Sequence, residues 1–290
     1  MIFWKTPAFR HLRLPFSWFL LPAFLMGMLA VPVLNAPHFW LLFLVLHFLV
    51  YPSSNAFNSL QDQDEGPIGG MERPPQAPAL LRPISFGLDI LALVLGFWQH
   101  WALGVGLLVY ILASRAYSYR PIRLKKYPWA GFFTVLFFQG PWTILLVALF
   151  VPANFYWVSA ASPGLLYLAA ALVLGGSYPL TQIYQHEADK KDGVLSLSAL
   201  LGIEGTFRFC AIAFALGGPT LLYPLWQSGR TEALFLLATA LLPVLLYFFW
   251  WWKSVRADTA AANFRNTMRM NLLASSALNL AFGLILFLGL

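Results

Sequence analysis

"HFLVYPSSNAFNSLQDQDEG", from His47 to Gly66, starts as oily as a lipid tail and ends on Asp62, Asp64 and Glu65. Within it, His47, Tyr51, Asn55 (or Ser54), Asn58 and Asp62 recur at steps of three and four residues. That spacing gathers side chains on one face of an α-helix. A helix that is otherwise apolar belongs in a bilayer, with such a stripe turned towards a bundle interior or a wet cavity, because lipid satisfies no polar group. Pro52 interrupts the stripe and predicts a kink.

The rest of the chain agrees with a membrane bundle. Of its 290 residues 60% are hydrophobic and 10% charged, where ordinary soluble domains have about 45–50% and about 25%. The mean hydropathy is +0.70. A membrane helix needs about 20 mainly apolar residues. Nine stretches qualify, at 14–34, 38–60, 84–99, 101–118, 128–151, 163–184, 206–225, 231–252 and 270–290. The break between the third and fourth falls in "WQHWALG". Lys5, Arg10 and Arg13 before the first stretch imitate a secretory signal, but its length and the spans that follow make it the first membrane helix. The fold class is therefore all-α and polytopic, a single domain over 1–290. Cys210 is the sole cysteine, which excludes an intrachain disulfide and a cysteine-based metal site.

Charge gives the expected sidedness. Of the 18 Lys and Arg, 17 fall in alternate loops: the N-terminus, then near 73–82, 115–126, 190–208 and 253–269; Arg230 is the exception. Cytoplasmic loops carry the cations, so the N-terminus is expected in the cytoplasm and the C-terminus outside. The net charge of +7 then reflects sidedness and not nucleic-acid binding. Nine of the 11 acids share the cationic side, all but Asp89 and Glu232. Acids contribute little to topology, so their clustering needs another cause.

A second cluster, "YPLTQIYQHEADKKDG", ends the sixth stretch, with Tyr178, Gln182, Gln185 and Asp189 on one helical face and His186, Glu187 and Asp192 close by. Hard divalent cations prefer oxygen ligands, and Mg²⁺ is commonly held by one or two carboxylates plus substrate phosphates. Between the clusters, "YSYRPIRLKKYPWAG" places Tyr119, Arg120, Arg123, Lys125 and Lys126 near the end of the fourth stretch. Arg and Lys clamp phosphate oxygens. Each segment alone also reads as a solvated or topogenic loop. Together they point to a metal-diphosphate site at the cytoplasmic face of the membrane.

These three segments, in this order, resemble the UbiA family of intramembrane prenyltransferases, which also has nine membrane helices. The family's first motif is Asn followed by Asp at +4 and +8, often with another at +6. Here Asn58, Asp62 and Asp64 match, and Gly66 stands at +8 with Glu65 beside it. Arg73-Pro74 resembles the following Arg-Pro element. Tyr119 to Arg123 resembles Tyr-x-x-x-Lys, with Lys125 and Lys126 nearby. In the second motif, Asp-x-x-x-Asp before Gly193, Gln185 replaces the first Asp and Asp189 is the second, with Glu187 as the compensating carboxylate. These departures mark a divergent member.

The resemblance implies transfer of a polyprenyl group from its diphosphate to an unidentified acceptor, aromatic or from another lipid pathway. It implies Mg²⁺ held by Asn58, Asp62, Asp64, Glu187 and Asp189, with Asp62, Asp64 and Asp189 catalytic. It implies diphosphate binding by Arg73, Tyr119, Arg123, Lys125 and Lys126. A repurposed or inactive member and a small-solute transporter stand as alternatives. His47, His186 and Asp89 are candidates for a base, though a lone histidine in a bundle is more often structural.

Overall fold

The computed structural model describes residues 5–29, 36–63, 65–150 and 163–290. Asp64 lies outside them. Among the described residues the regular structure is helical, apart from one two-residue bridge between Ile68 and Met71. The helices are α1 (Pro7–His11), α2 (Leu21–Leu29), α3 (Ala36–Leu44), α4 (Tyr51–Asp62), α5 (Leu81–Gln99), α6 (Trp101–Ser118), α7 (Pro128–Gln139), α8 (Pro141–Phe150), α9 (Pro163–Gln182), α10 (His186–Lys191), α11 (Leu197–Gln227), α12 (Thr231–Ala257) and α13 (Phe264–Leu288). Eight continuous stretches among them are long and apolar enough to cross a membrane, and the pair Pro7–Phe19 with Leu21–Leu29, bent by 44°, brings the number to nine when counted as one broken span. This agrees with the nine spans expected.

The fourth-span break is where the sequence suggested. His100 is extended (φ −164, ψ 137), and its ring caps the Ala102 amide at 3.2 Å. Glycines let α5 and α6 close tightly there: a Cβ on Gly96 would sit 3.2 Å from the Gly104 Cα. α11 begins at Leu197, ahead of the expected 206, because Ser196 caps a first turn that breaks at Gly202 (φ 69, ψ 174). Only glycine adopts that conformation cheaply.

α9 packs along α11, α5 along α6 and α12 along α13, while α2 sits between α8 and α13. The last helix, α13, thus closes on α2 near the start of the chain. Lipid tails are as apolar as leucine, so packing and interhelical hydrogen bonds hold such a bundle together. Phe207, Phe248 and Trp251 are fully buried, with Phe207 centred 5.7 Å and 5.0 Å from the other two rings. Asp89 on α5 pairs with Arg115 on α6, and the Ser53 hydroxyl on α4 lies 2.6 Å from Asp89 and 2.8 Å from Arg115. The Arg115 guanidinium also lies 4.1 Å from the Phe57 ring centre. Asp89 is thus a structural tie, and Arg115 is a helix residue, not a loop cation.

The polar stripe is split. Val45–Val50 is π-helical, and the Tyr51 amide bonds to the Leu46 carbonyl five residues back. Such a turn holds one residue more than an α-turn, which shifts the phase between His47 and the residues beyond it. His47 is buried, bonded to the Ser17 hydroxyl and stacked on Phe43 at 4.6 Å.

Candidate active site

α4, α6, α9 and α10 converge on a polar cavity of about 220 Å³. α4 contributes Ser54, Asn55, Asn58 and Asp62; α6 contributes Tyr117 and Ser118; α9 contributes Tyr178 and Gln182. Gln185 comes from the turn into α10, Asp189 from α10 itself, and Lys125 from the segment after α6. A second cavity of about 170 Å³ lies between α2, α9, α11 and α13 and has no charged residue in its walls. The two share Phe16, Gln139, Tyr178, Thr181 and Asn271 as walls.

Asp62 sits at the centre of the charges. Asn58 donates to its Oδ2 at 2.8 Å, Lys125 pairs with that same oxygen, and Arg123 reaches its Oδ1 at 3.3 Å. Arg123 also pairs with Asp192 and donates to the Asp192 carbonyl at 3.2 Å. Burial pushes the Asp192 carboxyl up, but the bonds and charges of Arg123, Arg120 and Lys125 overcome this and hold it below the usual carboxylate range. Arg13, from the segment before α2, donates to the Asn55 carbonyl at 3.1 Å and to Asn58 Oδ1 at 3.2 Å. Across the site, Gln185 donates to the Pro67 carbonyl at 3.3 Å, joining α10 to the loop after α4.

The backbone is strained where these groups meet. Arg13, Gln63 and Arg123 are the non-glycine residues with positive φ among those described (49°, 54° and 47°). Each costs of order 1–3 kcal/mol, and such strain clusters at functional sites. All three flank the polar cavity or its acid.

Of the residues singled out in the sequence, Asn58, Asp62, Lys125 and Asp189 line the cavity, and Arg123 stands buried behind Asp62. Others do not join them. Glu187 is exposed, because two residues of helix separate it from Asp189 by about half a turn. Tyr119 lies beyond the end of α6, 45% exposed, and it is Tyr117 that faces the cavity. Lys126 is exposed over the Tyr127 ring, and Arg73 is exposed with its carbonyl taken by Arg10 at 3.2 Å. Glu65 is also exposed. Asp64 falls outside the described residues. Tyr178 and Gln182 carried a signal in the α9 stripe; Tyr117 resembled an interface aromatic and Arg13 a topogenic cation.

The donor set suits a cation shared with a substrate. No three His, Cys, Asp or Glu side chains gather into a metal cage among the described residues. Two cavity carboxylates, Asp62 and Asp189, with the Asn58 carboxamide, are what Mg²⁺ uses when phosphate and water complete its shell. The residues present fit such an ion.

The model of the UbiA prenyltransferase family matches residues 19–273. The bacteriochlorophyll synthase 33 kDa chain of Cereibacter sphaeroides is 30% identical over 226 residues, covering 72% of this chain and 71% of that one. The chain of the same name from Rhodobacter capsulatus is 32% identical over 140 residues, 46% of this chain and 44% of that one. A UbiA homologue from Archaeoglobus fulgidus bound to DMAPP and Mg²⁺ superposes with a TM-score of 0.67 at 16% identity, covering 96% of this chain and 99% of that one. A digeranylgeranylglyceryl phosphate synthase gives 0.60 at 18% identity, with 95% and 96% covered. These structures share the fold.

Proposed function

The chain belongs to the UbiA prenyltransferase family, and from that premise we propose that it moves a polyprenyl group from its diphosphate, held in the polar cavity, to a lipid-soluble acceptor. The observation that carries this reading is the pair of cavities. One is lined by Asp62, Asp189, Asn58 and Lys125, the other is free of charged walls, and they meet at Tyr178. An amphipathic donor with a charged head and an apolar tail fits that division.

Asn58, Asp62 and Asp189 would hold a divalent cation, Mg²⁺ by its oxygen donors. When bound, that ion neutralises charge on the diphosphate as a Lewis acid. The chain's own cations do related work. Diphosphate oxygens compete with Asp62 for Lys125 and Arg123, which are already desolvated and aimed at an anion. The apolar compartment orients the prenyl tail and keeps water from the allylic carbon. The cavity lies at the helix ends that carry the cationic loops, which supports a cytoplasmic active site. The likeness to chains from two bacteria supports a bacterial cytoplasmic membrane, and their name puts a bacteriochlorophyll precursor first among acceptors to test.

The test is to incubate the purified protein in nanodiscs with labelled geranylgeranyl diphosphate, Mg²⁺ and an acceptor panel: a bacteriochlorophyll precursor, a phenolic acid and a glyceryl lipid. We expect a prenylated product with matching diphosphate release, lost on chelation and cut by about 100-fold in Asp62→Asn and Asp189→Asn. Mg²⁺-dependent binding without release would make the protein an inactive relative. Transfer untouched by either substitution would refute this site.

A further inference from the structure

The two tyrosines at the junction hold one hydrogen too many for their partners. Tyr117 and Tyr178 hydroxyl oxygens lie 2.6 Å apart. Gln182 Nε2 donates to Tyr178 at 2.9 Å. The direction of that bond is set elsewhere: Gln182 Oε1 accepts from the Ser198 amide at 3.4 Å, so its NH₂ end must face the phenol. Two phenols bring two hydroxyl hydrogens, and their single mutual contact uses one. Neither hydroxyl has a further protein partner among the described residues, so one O–H is left for the cavity.

Place decides which hydroxyl delivers it. Tyr117 borders the polar cavity alone, whereas Tyr178 borders both cavities. A donor with its head in one and its tail in the other puts its ester oxygen and first prenyl carbon beside Tyr178. Resting on the prenyl-transfer reading, we infer that Tyr178 is a catalytic residue: its hydroxyl donates a hydrogen bond to the ester oxygen of the departing diphosphate, while Tyr117 and Gln182 position it. With Tyr117 and Gln182 both donating to the Tyr178 oxygen, its own O–H is polarised and becomes a stronger donor. The bond from the allylic carbon to that ester oxygen breaks, and both electrons leave on the diphosphate. The acceptor's electron pair forms the new bond, and the acceptor's proton leaves with the diphosphate as hydrogen diphosphate. Tyr178 keeps its own proton throughout. The hydrogen bond matters most as negative charge builds on that oxygen, so it lowers the barrier more than it aids binding.

The experiment measures diphosphate release by nanodisc-embedded protein with Mg²⁺, geranylgeranyl diphosphate and the same acceptor panel, alongside the dissociation constant for that donor. Tyr178→Phe is expected to slow release by about 100-fold with donor affinity within about threefold, since substrate is bound before the charge develops. Tyr117→Phe leaves Tyr178 free to donate and is expected to slow release by only about three- to tenfold, the net worth of one hydrogen bond. A donor with sulfur at the ester position, a weak acceptor, should shrink the Tyr178→Phe effect to less than about fivefold. Thermal unfolding of each variant separates a folding defect from a chemical one. Active wild type with an unimpaired Tyr178→Phe overturns the inference alone, as does a larger loss in Tyr117→Phe or an undiminished effect with the sulfur donor. Wild type that neither binds nor cleaves the donor overturns the prenyl-transfer reading itself, and this inference with it.

Discussion

Asp62 answers to three partners at once: Asn58, Lys125 and Arg123. Its side chain is 4% exposed and Arg123's is 8%, so water screens little of their attraction. Removing one member of a buried ionic group leaves the others unpaired and costs about 3–5 kcal/mol. Asp62→Asn should therefore lower the melting temperature in detergent as well as the activity, and added inorganic diphosphate should restore part of the loss by supplying an anion to the folded state. An unchanged melting temperature would mean that the pairing contributes nothing to the fold. Spacing along the chain marked Asn58, Asp62 and Asp189 because helix periodicity is local information. It did not reveal that Arg123 is tied to Asp192, 69 positions away, because which helix ends meet is settled by packing.

The short helix α10 carries Asp189 yet is only six residues long, too short to hold itself in water. It is anchored by His186, whose Nε2 lies 2.8 Å from the Ser198 hydroxyl, and by the Gln185–Pro67 bond. His186 is thus found in a structural link, not on the cavity wall. Burial lowers its pKa below the usual 6.5. The sign follows from the folded state resisting the proton: as pH falls below about 6.5 the unfolded chain is protonated first, so stability declines until the folded ring titrates too. Thermal unfolding between pH 7.5 and 5.5 should show this slope in the wild type, and His186→Gln should make it shallower, the remainder coming from His11, whose pKa burial also lowers. A variant with the same slope would exclude His186 as its source. α10 escaped the sequence as a separate helix because "HEADKK" has no apolar face to read.

The bundle as a whole was the most legible level, since nine apolar stretches need only composition and length to be seen. The division of its interior into a charged and an uncharged cavity was not, because walls from α2, α9, α11 and α13 are each just apolar in sequence. That division yields a prediction about chain length. Val173→Trp fills the uncharged cavity, and in competition between geranyl and geranylgeranyl diphosphate it should shift preference towards the shorter donor by at least about tenfold, as small volume changes in apolar pockets do. An unaltered preference would place the tail elsewhere. The π-helical turn at Val45–Val50 has a wider consequence. It behaves as a one-residue insertion lodged in the span, with the cavity-forming storey on one side and the aromatic storey of Phe39 and Phe43 on the other. Deleting one residue there would return the turn to ordinary pitch and rotate the two storeys by about 100° relative to each other. Related chains without the turn would align to this one only through a gap of one residue at that level, and counting motif spacings across it would point at the wrong face.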